Sequence, residues 1–130
     1  TAAQYNGGGG TWPSTALYDF TEQYNGTSWS EVADLNTARD GLGYESVGTQ
    51  TSSMVAGGAT PSNTDAVEMW DGTSWSTSTV LPAVRSQTGN AGSVNTSALV
   101  FGGSGPGGSN HVETFEWSDP VYAIKTVTVS

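Results

Sequence analysis

A six-residue phrase that returns after a fixed interval constrains this chain more than any other feature. Asn25-Gly26-Thr27-Ser28-Trp29-Ser30 reappears as Asp71-Gly72-Thr73-Ser74-Trp75-Ser76, a shift of 46 residues. At the same shift Glu22 falls on Glu68, Tyr24 on Trp70 and Arg39 on Arg85. Gly57-Gly58 returns as Gly102-Gly103 after 45 residues, and Val67-Glu68 as Val112-Glu113, which puts Phe115 in the aromatic place of Trp70. Gly9-Gly10 reads as an earlier copy of the double glycine. A period in this range means a stack of similar supersecondary units, each too small to bury its apolar face alone.

Within one period the signals are those of strands. Thr, Val, Trp and Tyr recur in short runs broken by Gly, Asn and Asp, and no apolar run has a helical period. The sequence therefore predicts an all-β chain of four-stranded antiparallel units with no helix beyond a turn. A partial unit occupies residues 1–38, with strands near 14–24 and 28–32. A full unit occupies 39–84, with strands at 41–48, 51–56, 66–70 and 73–80. A terminal unit with a C-terminal strand occupies 85–130, with strands at 88–94, 97–101, 112–115 and 124–130. Asn25-Gly26 and Asp71-Gly72 suit two-residue type I′ turns. Trp29 and Trp75 are expected to be buried and equivalent, and Tyr24, Trp70 and Phe115 hold one recurrent aromatic place. Gly57, Gly58, Gly102 and Gly103 are expected where backbones approach closely. The third copy departs from the pattern after Phe115, as terminal repeats do. The array is therefore expected to end near Ser130. Thr1 lies in mid-repeat and is expected to mark a processed or truncated start.

Composition narrows the function. Twelve acidic residues against three Lys and Arg give a net charge of −9. Such a surface repels nucleic-acid phosphates and anionic lipid, so neither nucleic acid nor membrane insertion is expected. There is no cysteine, hence no disulfide framework or thiolate metal site. No apolar run approaches the roughly 20 residues of a membrane span. Five Trp, five Tyr and three Phe argue against disorder, because disordered chains bury little and carry few aromatics.

Catalytic constellations are not evident. His111 is the one histidine, in a Gly/Ser loop with no partner visible in sequence for a triad. Glu22, Glu68 and Glu113 recur at one repeat position, which suits structure better than an acid–base pair. The Gly7–Gly10 run lacks the Lys-Ser/Thr of a phosphate loop, since Thr11-Trp12-Pro13 follows, and reads as a turn. Asn25-Gly26-Thr27 and Asn95-Thr96-Ser97 match the glycosylation pattern but lie where turns are expected. No cofactor or metal site is predicted. Trp12 and Trp117 fall outside the repeat and are candidates for an interface. Arg39 and Arg85 are candidates either for binding or for an Arg–Glu bridge repeated in each unit.

The order of motifs adds a family resemblance. Met54-Val55-Ala56-Gly57-Gly58 is followed by Val67-Glu68-Met69-Trp70 and then Trp75. Ala98-Leu99-Val100-Phe101-Gly102-Gly103 is followed by Val112-Glu113-Thr114-Phe115. This pattern resembles the kelch repeat. Asn25-Gly26-Thr27-Ser28-Trp29, with Ala33-Asp34-Leu35-Asn36-Thr37-Ala38-Arg39 after it, looks like the repeat arrays of marine bacteriophage structural proteins and related bacterial surface proteins. The resemblance implies kelch-like β-propeller blades, about two and a half of them, in an incomplete ring. Rings of this kind have typically 4–8 blades. Arg39 and Arg85 would then border the axial face. The flanks, residues 1–11 and 124–130, would be covered by further blades of the same polypeptide or by neighbouring subunits, and the isolated chain would be insoluble, partly unfolded or oligomeric. The implied role is a non-catalytic structural or adhesive module of a virion: a tail fibre, spike or capsid decoration on an extracellular particle. Its partners would be other virion proteins and a host-surface glycan or protein. The alternative is a glycan- or protein-binding propeller of a secreted bacterial surface adhesin. An enzyme would need constellations that are not visible.

Overall fold

Gly, Asn and Asp punctuate the chain so often that no strand among the described residues exceeds eight residues. The computed structural model describes residues 2–10, 15–43 and 47–118, and the backbone of 125–127. Trp12, Ser14 and the expected strand residues 124 and 128–130 lie outside the described residues. The strands form three antiparallel sheets, each in chain order. The first holds β1 (Ala3–Gly9), β2 (Leu17–Tyr24) and β3 (Trp29–Glu31). The second holds β4 (Val47–Thr49), β5 (Ser52–Ala56), β6 (Val67–Trp70) and β7 (Trp75–Thr77). The third holds β8 (Gly89–Val94), β9 (Ser97–Phe101), β10 (Thr114–Ser118) and β11 (Lys125–Val127). The one helical element among the described residues is a 3-10 turn at Pro106–Gly108, so the fold is all-β.

Register corrects several sequence expectations. Strand β1 pairs with β2 as β5 pairs with β6: Asn6 faces Thr21 where Ala56 faces Val67. The earlier double glycine is thus Gly7-Gly8, not Gly9-Gly10. The three pairs share positive φ: 60° and 121° at Gly7-Gly8, 71° and 99° at Gly57-Gly58, 63° and 94° at Gly102-Gly103. Four of these glycines, Gly7, Gly57, Gly58 and Gly103, also admit a neighbouring backbone. A Cβ on Gly58 would stand 2.7 Å from the Asp40 carbonyl oxygen, and one on Gly103 would stand 2.8 Å from that of Ser86. Of the strand expected at 41–48, Val47 and Gly48 open β4, and residues 44–46 lie outside the described residues. Gly41–Gly43 is irregular, and Gly43 lies so close to Thr88 and Asn90 that no side chain fits there. The strand expected at 73–80 stops at Thr77, because the chain turns away to bond the inner part of its own sheet. Ser78 N donates to the Val67 carbonyl and Leu81 N to that of Asp65.

The third sheet carries the largest correction. Phe101 pairs with Thr114, Val100 with Phe115 and Ala98 with Trp117. In the second sheet Ala56 pairs with Val67, Val55 with Glu68 and Ser53 with Trp70. Phe115 therefore stands in the place of Glu68, and Trp117 in the place of Trp70. The loop between double glycine and strand is two residues longer in the third sheet, ten residues (104–113) against eight (59–66). That insertion slides the sequence repeat out of step with the structural one.

The expected type I′ turns are also replaced. Only the glycines have positive φ, 104° at Gly26 and 97° at Gly72. The Asp71 carboxylate accepts the Thr73 and Ser74 N–H groups, each at 2.8 Å. The Asn25 side chain does the same for Thr27 and Ser28 at 2.9 and 3.0 Å. An Asx side chain that mimics a backbone acceptor removes the need for a second left-handed residue.

Burial follows the stacking. Alternate residues of a strand point to opposite faces, and the second sheet is covered on both. Met54, Ala56, Val67 and Met69 pack with Ala98, Val100, Phe115 and Trp117 of the third sheet. Val55, Trp70 and Trp75 pack with Leu35, and Val32 and Leu42 add to that cluster. Trp75 is 6% exposed, but Trp29 is 50% exposed, against expectation. Both stand beside an aromatic in matching geometry. Trp70–Trp75 centroids lie 5.4 Å apart at 43°, and Tyr24–Trp29 centroids 5.3 Å apart at 38°. The difference is the neighbour. Trp75 reaches back to the first sheet, where its Nε1 donates to Thr21 Oγ1 at 2.9 Å. Among the described residues no sheet lies on the Trp29 side.

Trp75→Ala is expected to cost about 3–5 kcal/mol as a large-to-small core change, and Trp29→Ala about 1 kcal/mol or less, the scale of its aromatic pair. Urea unfolding of the two variants checks this, and equal losses would contradict the difference in burial. A second prediction concerns Asp71. The Ser74 and Thr73 amides hold its carboxylate below the usual range. A lowered folded pKa gives stabilisation that is complete above the ordinary value of about 3.9 and is lost as pH falls through the lowered one. Asp71→Asn keeps the acceptor, as Asn25 shows. The Thr73 and Ser74 amide shifts should therefore titrate below about pH 4 in the parent and stay flat in the variant.

Candidate functional site

Of the charged groups singled out in the sequence, Arg39, Glu68, Arg85 and Glu113 converge on the two junctions between sheets. The connector from β3 to the second sheet bonds the first sheet through its backbone. Leu35 N donates to the Asp19 carbonyl, Arg39 N to that of Tyr18, and Gly8 N to that of Arg39. The Arg39 side chain then crosses to the second sheet. It donates to the Gly57 and Ala66 carbonyls, each at 3.1 Å, and forms an ion pair with Glu68 at 2.5 Å. The other Glu68 oxygen accepts both the backbone and side-chain N–H of Asn36 at 2.7 Å. Arg39 and Glu68 are each 1% exposed. Burial pulls the guanidinium below its ordinary pKa, and the Glu68 charge opposes that pull.

The second junction keeps the backbone pattern and changes the chemistry. Leu81 N again meets the Asp65 carbonyl, Arg85 N that of Thr64, and Gly58 N that of Arg85. Arg85 Nη1 donates to the Gly102 carbonyl at 2.9 Å. Phe115 now occupies the carboxylate place, and the guanidinium carbon lies 4.4 Å from its ring centroid, a cation–π contact. Glu113 stands 3.9 Å away and is half-exposed. It is held below the usual carboxylate range by its own backbone N–H and then by His111, whose Nδ1 lies 3.2 Å off. Pro82 replaces Asn36 in sequence, so the N–H that served Glu68 disappears together with the carboxylate.

A second lock repeats at the other end of each junction. Gln50 Nε2 donates to the Tyr24 carbonyl at 2.9 Å, and Asn95 Nδ2 to the Trp70 carbonyl at 2.8 Å. Gln4 and Gln23 extend the first amide set to Ser53 and the Gln50 carbonyl. These amides escaped the sequence reading because Gln50 and Asn95 differ in type, although both sit in the turn before the second strand of a sheet. Asn95 is thereby used structurally rather than held free as a glycosylation acceptor.

Of the residues expected to bind, Arg39 and Arg85 are buried inside junctions, so neither offers its guanidinium to a ligand. Trp117, expected at an interface, is 2% exposed because it fills the Trp70 place in the core. Trp12 lies outside the described residues. No group of three or more His, Asp or Glu is placed to hold a metal ion among the described residues. The exposed surface with most character was not anticipated in detail: the outer face of the first sheet. Tyr5, Tyr18, Phe20 and Trp29 are exposed there, with Tyr18 and Phe20 stacked at 5.4 Å and 14°. Leu99 and Phe101 are exposed on the outer face of the third sheet. Exposed aromatic clusters mark contact surfaces more than chemistry.

No family model matches the sequence, and no curated protein matches it. The solved structure of YjhT aligns over 98% of this chain with a TM-score of 0.75 at 15% identity. This chain spans 42% of the length of that one. At such identity the likeness speaks to the fold alone.

The two junctions should differ in cost when broken. Arg39→Ala leaves the buried Glu68 without its countercharge and is expected to cost about 3–5 kcal/mol. Arg85→Ala gives up a cation–π contact and a carbonyl bond, about 1–3 kcal/mol. Guanidinium unfolding checks the order, and a larger loss at Arg85 would contradict the assignment.

Proposed function

We propose that this chain is a non-catalytic structural or adhesive module, built as blades of a kelch-like β-propeller, that serves on a bacteriophage virion as a fibre, spike or capsid decoration. The observation that carries this reading is the use of the charged side chains. The arginines and the best-placed carboxylate are spent on holding one sheet to the next, and none is left in a cleft as an acid–base set. Four-stranded antiparallel sheets in chain order, each locked to its neighbour by the same backbone bonds, suit radial repetition. Uncovered apolar faces on the first and third sheets suit a module that works inside a larger assembly. The Asn-Gly-Thr-Ser-Trp resemblance supplies the virion part of the reading.

The partners on this reading are other virion proteins and a host-surface glycan or protein, met through exposed aromatics rather than through the arginines. The test has two arms. Mass spectrometry of purified particles should return peptides of this sequence in stoichiometric amount, and sedimentation of the 130-residue chain should show oligomers. Absence from particles would overturn the virion assignment. A well-dispersed monomer with cooperative unfolding would overturn the reading of the chain as blades that need neighbours.

A further inference from the structure

The outer face of the first sheet repeats, unfilled, a site that is filled in the second. We infer that it is a socket for an extended Leu-Asn-x-x-Arg connector carried by a further repeat unit of the same kind. Pairing fixes the equivalence. Tyr24 faces Trp29 and Glu22 faces Glu31 in the first sheet, as Trp70 faces Trp75 and Glu68 faces Thr77 in the second. Tyr5 opposes Glu22 as Val55 opposes Glu68. In the second sheet this face receives Leu35 against Trp70 and Trp75, Asn36 on Glu68, and the Arg39 guanidinium on Glu68 and the Gly57 carbonyl. In the first sheet Tyr5, Glu22 and Trp29 line an open hollow. Glu22 forms no ion pair among the described residues.

The internal comparison also selects the kind of connector. Where the sheet presents a carboxylate, as at Glu68, the incoming segment reads Leu35-Asn36-Thr37-Ala38-Arg39. Where it presents Phe115, the segment reads Leu81-Pro82-Ala83-Val84-Arg85, and no N–H is offered at Pro82. The first sheet presents Glu22, so its partner is of the Asn type. Both connectors among the described residues are already engaged at their own junctions. A second copy therefore has none to give, and the occupant is another repeat.

The test uses this chain with two capped peptides, residues 33–40 and residues 79–86 of its own sequence. The chain's net charge of −9 favours the second peptide, which carries Arg85 and no acid, over the first, which carries Asp34, Arg39 and Asp40. The socket predicts the opposite order: at least about tenfold tighter binding of the Asn-type peptide, a difference of about 1.4 kcal/mol, with a shift of the Trp29 indole N–H signal. Glu22→Gln should erase the preference while the indole signals of Trp70 and Trp75 stay in place, which shows that the sheets remain folded. Equal binding, tighter binding of the Pro-type peptide, or no saturable binding at millimolar peptide would overturn the inference. So would a Trp29 indole already protected in the peptide-free chain, which would identify a second copy as the occupant. The inference rests on the reading of these sheets as stacked repeats. Its failure leaves the particle assay unaffected, so the two are separable.

Discussion

One guanidinium out of water organises the first junction. Taking a charge from water into a protein interior costs several kcal/mol unless every donor finds an acceptor. Arg39 finds them only because its backbone is fixed to one sheet while its side chain reaches into the next. That demand explains features that otherwise look unrelated. The double glycine brings its carbonyl and the connector's backbone to touching distance. The leucine four residues before each arginine is buried, and so holds the connector down. The tryptophan of the last strand closes the outer end of the same seam. A set of demands met at one place and repeated at the next makes each sheet a neighbour-dependent unit, with stability residing in interfaces as much as in sheets.

The contrast between inner and outer sheets follows. All four residues of β6 are buried, whereas of their counterparts in β2, Thr21–Tyr24, only Thr21 is buried and the other three are half-buried. Glu22 and Tyr24 match Glu68 and Trp70 in character, so at those places the difference lies in company, not composition. Aromatic residues at an uncovered face keep the geometry they have in the covered one, as the Tyr24–Trp29 and Trp70–Trp75 pairs show. The face is thus arranged before anything lies on it, and less ordering entropy remains to oppose docking.

The phrase around Trp29 and Trp75 made the repeat legible, and with it the all-β class and most strands of the second sheet and the first half of the third. Chain chemistry at short range decides those. The sequence was silent wherever the answer depended on pairing across the sheet. Gly7-Gly8 could not be told from Gly9-Gly10 by composition; the opposition of Asn6 to Thr21 decides it. The match of Val112-Glu113 to Val67-Glu68 was persuasive in the linear chain, and cross-strand pairing sets it aside. Arg39 and Arg85 stand out in the sequence, but whether such residues face a ligand or a neighbouring sheet is a property of the third dimension. The Trp29 expectation failed for a different reason: Trp29 keeps the pair geometry of Trp75, and burial needs a second body as well.

The two extra residues in the loop before β10 carry a consequence for how such a chain can diversify. A slide of two residues along a strand keeps every side chain on its own face, because the alternation has a period of two. Loop length alone can therefore change which side chain meets the arginine, from the carboxylate at Glu113 to the ring at Phe115, with no substitution in the strand. Insertion in a solvent-facing loop is among the best tolerated of genetic changes. Here it acts as a selector that converts an ionic seam into an aromatic one, and with it the set of connectors that seam can accept.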